Sequence, residues 1–248
     1  MNETLRQLEQ RRSVRVYEAR PVGLDEKQAI IRAAFAAPTA GCMMLYSILD
    51  ITDQRLKEQL AVLCDHQPFI AKAPLVLIFL ADYQRWYDTY RLACGDLRRP
   101  AEGDLLLAYA DAVIAAQNTV VAAEALGIGS CYIGDILENC EAVRELLHLP
   151  DYAVPAAMLV YGYPTPAQKE RRKPARFDQE YLVFANGYRR LTGEELLEMQ
   201  RRRSESEGRT APDLLAYLRA LCERKYTSDF ALEMNRSAAE YLKKFASR

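Results

Sequence analysis

The sequence is poor in the residues that build metal centres and disulfide frameworks. Histidine occurs twice in 248 residues, as His66 and His148. The six cysteines, Cys42, Cys64, Cys94, Cys131, Cys140 and Cys222, are scattered, and no two form a C-x-x-C pair. A tetrahedral zinc site needs closely spaced ligand pairs, so no metal site is expected. A Cys64–His66 nucleophilic pair would have i,i+2 spacing, which seldom aligns the two side chains. An inert thiol beside a loop histidine is the simpler reading. Neither sign of charge is in excess. Lysine plus arginine total 33, aspartate plus glutamate total 34, and the net charge is −1. That argues against a surface devoted to nucleic acid or an anionic membrane, while leaving room for a local basic site that takes a small phosphate. An apolar leader is missing from the polar start Met1-Asn2-Glu3-Thr4-Leu5-Arg6. Together with the scattered cysteines, this leads to the expectation of reduced thiols and a cytoplasmic location.

What is present is ordinary globular material, with 50% apolar and 27% charged residues. At roughly 150 residues per domain the length permits one large domain or two small ones. A helix is predicted over about 3–12, capped by Asn2, followed by an extended Arg11–Tyr17 segment. Asp25 and Gln28 have capping-box spacing for a second helix. Its predicted buried face is Ile30, Ile31, Ala34 and Phe35, and Pro38 ends it. A loop over 39–44 leads to a strand from Leu45 to Ile51, and Asp53 caps a helix over about 54–64. Pro68 and Pro74 bracket a turn. Leu75 to Leu80 is continuously apolar, as a strand covered on both faces requires. Residues 82–103 read as a short helix and a surface insertion.

Asp104 opens the longest helical stretch, about 105–126, apolar almost all round. Asp111, Gln117, Asn118 and Glu124 interrupt it. Since a charge in lipid costs roughly 2.5–3.5 kcal/mol, a buried core or subunit-interface helix is a better reading than a membrane span. A glycine-rich turn with a short strand, a helix at about 139–147 capped by Asn139, and a strand from Val154 to Tyr163 follow. Thr192 and Glu195 form a capping box, and further helices fit 212–224 and 236–246. Strands and helices mix without strict alternation, which predicts an α+β fold in one domain with helical extensions.

Three constellations could carry chemistry. Arg11, Arg12 and Arg15, with Ser13 among them, suit a phosphate monoester, which guanidinium groups meet with paired charge-assisted hydrogen bonds. A solvated basic helix end is the alternative. Lys169 to Phe177 could place a cation beside a developing anion, or be a solvated loop. In Gly127 to Asp135 the glycines could let the backbone approach a flat ligand, with Gly127 equally serving as a helix C-cap. Their spacing does not fit a dinucleotide fingerprint, and a helix precedes them where a strand should stand.

Arg-Arg-Ser-Val-Arg at 11–15, Ala-Pro-Thr-Ala-Gly at 37–41, Ala-Gln-Asn at 116–118, Gly-Ile-Gly-Ser-Cys-Tyr-Ile-Gly at 127–134 and Lys-Pro-Ala-Arg at 173–176 occur in register. In this order the chain resembles the FMN-dependent nitroreductase superfamily, from about residue 5 to 245. Within it, the branch of NADPH-linked oxygen-insensitive nitroreductases and flavin reductases is the most similar. The resemblance implies a central mixed, mainly antiparallel sheet flanked by helices. It also implies an FMN-binding domain over 1–190, a C-terminal helical extension over 191–248, and a homodimer with FMN at both subunit interfaces. By the same resemblance Arg11, Arg12, Ser13 and Arg15 hold the FMN phosphate and ribityl chain. Thr39 and Gln67 meet the flavin, Tyr132, Ile133 and Gly134 lie against its ring, and Lys173 and Arg176 sit near its polar edge or phosphate. Arg11 replaces a histidine frequent at that position in this branch, and Asp135 stands where glycine would be easier.

The implied reaction is ping-pong hydride transfer from NADPH or NADH through FMN to nitroaromatic, quinone or flavin acceptors, with no side chain assigned a catalytic step. Gln117 and Asn118 are expected to be structural anchors. Arg201, Arg202 and Arg203, with Arg209, could grip the extra phosphate of NADPH, or form a solvated helix face beside Glu205 and Glu207. A flavin storage or sensing protein, and a specialised flavin enzyme such as an enone reductase or dehalogenase, are the alternative functions. Expected partners are a second copy of the chain and small-molecule acceptors, with no nucleic acid and no membrane.

Overall fold

A computed structural model describes residues 2–208 and 213–246. The chain divides into two compact units, one made of the residues up to Arg171 with those from Glu233 onward, the other Arg172–Leu232. These units and the expected division at 190/191 cut the chain at different places.

The first unit is built on four antiparallel strands: β1 (Tyr46–Asp50), β2 (Leu75–Asp82), β3 (Gly129–Ile133) and β4 (Ala153–Gly162), in the order β1-β2-β4-β3. A single-residue parallel bridge from Ser13 to Ser130 adds the mixed element. All eight residues of β2 and all ten of β4 are buried, which accounts for the apolar run from Leu75 to Ala81 and for the apolar character of β4. Along β2, Leu75, Leu77, Phe79 and Ala81 face one core with α2 (Leu24–Phe35) and α6 (Glu102–Ala125). Val76, Ile78 and Leu80 face another with α3 (Gln54–Leu63), α4 (Pro68–Ala71) and α7 (Cys140–Leu146). The period of two therefore sorts one strand into two cores. The unit also contains α1 (Glu3–Gln10), α5 (Gln84–Cys94) and α8 (Pro166–Glu170). The second unit holds α9 (Gly193–Ser206) and α10 (Leu214–Lys225), and α11 (Asp229–Leu242) closes the chain's helices.

Local signals worked where the side chain caps its own helix. Asn2 accepts from Leu5 N at 3.2 Å, Asp53 from Arg55 N at 2.7 Å, and Glu195 from Thr192 N at 2.8 Å. They failed where a neighbour intervened. α2 begins at Leu24, and its box pairs Gly23 N with Glu26 Oε2 at 2.7 Å instead of using Asp25 and Gln28. Its buried residues are Ile30 and Ala34, whereas Phe35 is 55% exposed. The Pro68–Pro74 turn contains the short helix α4. α6 starts at Glu102, with Asp104 bonding back to Ala101 N at 2.9 Å.

α6 is long and apolar enough to cross a membrane, yet Ala108, Ala112, Ala115, Ala116, Val120 and Ala123 are buried in the first core. On its other side Leu106, Leu107 and Ile114 are 70%, 53% and 40% exposed. One side of α6 is core, and the other is an apolar stripe bare in the single chain. Gln117 and Asn118 are anchors as expected: Gln117 Oε1 accepts from the Tyr132 hydroxyl at 3.2 Å, and Asn118 Nδ2 donates to Ala33 O at 3.1 Å.

Candidate functional site

The arginine-rich segment is extended because two neighbours zip it in place. Val14 N donates to Ser130 O at 3.0 Å on β3, and Arg15 N donates to Gln168 Oε1 at 3.2 Å on α8. Further on, Glu18 N donates to Tyr163 O at 2.8 Å, beyond the end of β4. The sheet leaves room for this run with two glycines. A Cβ at Gly129 would overlap the Val14 side chain, and one at Gly162 would overlap Tyr17 and Pro74. The three glycines of the 127–134 stretch thus have three explanations. Gly127 follows α6 at φ +71°, Gly129 admits Val14, and Gly134 has open space where its Cβ would be.

Arg11, Ser13 and Arg15 come together at Cys131 of β3. Burial pushes the Cys131 thiol up from its ordinary pKa, while the Arg15 charge, hydrogen bonds from Ser13 and Arg15, and the Arg11 charge pull it down. Burial outweighs that pull at the thiol itself, but the pull shows that two guanidinium groups and a hydroxyl converge beside it. Arg11 also acts on Tyr132, whose hydroxyl burial pushes up to about 12. Nε of Arg11 is buried and has no hydrogen-bond partner. A buried donor left unpaired costs about 1–3 kcal/mol, which an anionic oxygen would relieve. Arg12 is placed differently. Its guanidinium donates to the main-chain carbonyls of Lys169, Arg171 and Gln10. With Val14 and Gly127–Gly129 it lines a separate cavity of about 210 Å³.

Gln67 is brought to the same edge. It precedes α4, its N donates to Ala61 O at 2.8 Å, and its Nε2 donates to Cys64 O at 2.9 Å. Two residues on, the Phe69 ring lies under the Arg15 guanidinium, 5.7 Å from the ring centre. Asp65 and His66, just before Gln67, both have left-handed backbone at φ +57° and +52°. Ile133 is buried in the second core, and Gly134 opens the 3-10 turn Gly134–Leu137. The Tyr132 side chain turns to α6 through its bond to Gln117.

Thr39 does not join this cluster. Its loop feeds β1, at the opposite edge of the sheet from β3, three strand spacings or about 14 Å away. The loop is organised by Asp111 of α6, a residue that sequence reasoning treated only as an interruption. Buried Asp111 accepts from Ala40 N at 2.9 Å, from Leu45 N at 3.1 Å and from the Thr39 hydroxyl. An acid inside a run of apolar helix is the signal that could have exposed this role.

Lys173 and Arg176 belong to the second unit, where Arg176 Nη1 donates to Pro174 O at 3.0 Å. In the same unit Arg201 bonds Glu198 and Glu205, and Arg202 bonds Glu198 and Glu180. Arg203 stacks over Phe177 at 4.8 Å. This is the acid-paired helix face rather than a cluster of open cations. Arg209 lies outside the described residues.

The profile of the nitroreductase family matches residues 8–163, the stretch from α1 to the end of β4. The chain belongs to the nitroreductase family. It is 36% identical over 191 residues to the oxygen-insensitive NADPH nitroreductase of Salmonella typhimurium, covering 77% of each chain. It is 30% identical over 190 residues to the FMN reductase (NADPH) of Bacillus subtilis, covering 76% of this chain and 75% of that one. Among solved structures, NfrA2 of B. megaterium superposes over 100% of both chains with a TM-score of 0.83 and 26% identity. The α+β architecture, with its antiparallel sheet and C-terminal helices, is that of this family.

Proposed function

We propose that the protein is an FMN-dependent NAD(P)H oxidoreductase acting on nitroaromatic, quinone or flavin acceptors. The observation that carries this reading is the convergence of Arg11, Ser13 and Arg15 on one buried spot, with an unpaired Arg11 Nε, in a chain of the nitroreductase family. Relatives named NADPH nitroreductase and FMN reductase support the same chemistry. When bound, FMN supplies two-electron transfer between the nicotinamide and the acceptor.

The chain's own residues would bind and orient the cofactor. Arg11, Ser13 and Arg15 would meet the phosphate with charge-assisted bonds. Arg12 would act on the same segment indirectly, by fastening it to the 169–171 carbonyls. Gly134, with no side chain and open space beside it, would let the ring approach the main chain, and Gln67 would offer a polar edge. Lys173 and Arg176 would supply positive charge near the flavin.

We propose further that the working form is a cytoplasmic homodimer. The bare Leu106, Leu107 and Ile114 stripe of α6 supports association of two copies. So does the separation of Thr39 from the arginine cluster, because the Thr39 loop of a second copy would complete the site. All six cysteines are free, which supports the cytoplasmic assignment.

The test is direct. The purified protein should carry yellow flavin, lose its colour on anaerobic addition of NADPH, and regain it with a nitroaromatic. Flavin that stays oxidised with both NADPH and NADH would point to storage instead. A protein that takes up no FMN would overturn the reading.

A further inference from the structure

The start of α7 is capped by the far end of the chain. Asn139, the cap expected from sequence, has left-handed backbone at φ +50° and sends its Nδ2 to Leu63 O at 2.9 Å. The α7 donors are met by α11 instead. Asn139 N donates to Glu233 Oε1 at 3.2 Å, and Cys140 N donates to Ser237 Oγ at 2.9 Å. Ser237, fully buried, donates in turn to Glu233 at 2.7 Å. Arg236 locks the joint, with paired bonds of 2.8 Å to Glu141 and another of 2.8 Å to Glu233. One knot therefore ties the C-terminal helix to α7 and to the end of α3.

Glu138 immediately precedes this knot in the chain. It links the Gly134–Leu137 turn to α7, its N donates to Asp135 O at 3.0 Å, and only 5% of it is exposed. The charges acting on its carboxyl are all negative and come from three elements: Asp135 of the turn, Asp65 of the α3–α4 loop and Glu233 of α11. The thiol of Cys64, on that same loop, feels Asp135 and Glu138 in return. Arg236, the cation of the knot, is bonded to Glu233 and Glu141. Two of the three elements carry positions read above as flavin-facing, Gly134 and Gln67.

We propose that Glu138 is a pH-sensitive latch: protonated, it lets α11 hold the Gly134–Leu137 turn against the α3–α4 loop, and ionised, it repels all three and loosens their grip on the flavin. The part concerning flavin rests on the functional reading above; the latch itself does not. Burial, reinforced by Asp135, Asp65 and Glu233, pushes the Glu138 carboxyl up to about 7. A carboxyl raised in the folded state stabilises the fold at low pH. That contribution is lost as pH climbs from the ordinary carboxylate range through about 7, because the folded chain then holds a proton the unfolded chain has released.

The experiment compares wild type with Glu138→Gln, a neutral isostere. Thermal melts of the flavin-free protein are recorded from pH 5 to 8.5, and FMN dissociation constants are measured at pH 6 and pH 8.5. Wild type should lose several degrees of melting midpoint relative to Glu138→Gln as pH rises. Its FMN affinity should fall at least threefold relative to the variant's over the same range. Titration of the FMN phosphate itself is common to both proteins and cancels in that ratio. Asp135→Asn, which removes one repelling charge and keeps Glu138, makes ionisation of Glu138 easier, so the transition should move to lower pH than in wild type. The decisive reading for that variant is therefore a lower midpoint pH of the melting transition than wild type shows, and it serves if Glu138→Gln does not fold. Melting curves that run parallel in wild type and Glu138→Gln, or a transition unmoved by Asp135→Asn, would overturn the latch. Failure to bind FMN at any pH would instead overturn the functional reading, while the flavin-free melts still decide the latch.

Discussion

Arg11–Arg15 in the first unit and Arg201–Arg203 in the second carry the same guanidinium chemistry in different settings. The first run lies extended along β3, and the second lies on the surface of α9. On a helix, residues three and four apart are neighbours, so Glu198 and Glu205 reach Arg201, and Glu198 reaches Arg202. Each of these two cations is answered within its own turn. On an extended segment successive side chains part, which sends Arg12 to main-chain carbonyls and leaves Arg11, Ser13 and Arg15 together at Cys131. A count of arginines therefore says little about anion binding. What matters is whether the backbone brings carboxylates or other cations alongside.

Three substitutions probe this contrast. Arg15→Ala removes a charge-assisted contact of about 1.5–3 kcal/mol, so FMN should bind roughly ten- to hundredfold more weakly in a fluorescence titration. Unchanged affinity would detach Arg15 from the phosphate. Gly129→Ala attacks the scaffold under the same run. Its Cβ would overlap Val14, and relieving that overlap should lower stability by about 1–3 kcal/mol in chemical denaturation. A wild-type denaturation curve would mean that the segment is not held by this close approach. Arg201→Ala should do least, leaving both FMN affinity and the melting midpoint at wild-type values. A clear loss of affinity for NADPH in that variant would revive the second run as a phosphate site.

The contrast also shows what was legible in the sequence. β2 and β4 announced themselves as apolar runs, and Asn2, Asp53 and Thr192 capped the helices that follow them. The arginine motif and its glycine-rich partner were visible as residues, and the period of two that separates Arg12 from Arg11 and Arg15 was available but unused. Three features were not legible because distant partners decide them. Glu233 and Ser237 take over the capping of α7, nearly a hundred residues away. Asp111 serves a loop on another element, so its burial looked like a flaw in an apolar helix. Phe35 lies on the outer side of α2, because only Ile30 and Ala34 of the expected face are fully buried. Propensity and periodicity describe an element alone, whereas these roles are set by what packs against it.

The most direct test is an FMN titration of the flavin-free protein alongside two double variants, Arg11→Ala with Arg15→Ala and Arg201→Ala with Arg202→Ala. The expected result is loss of measurable binding in the first and wild-type affinity in the second. Equal affinity in all three proteins, or a loss confined to the second variant, would contradict the assignment of the phosphate site to the segment along β3.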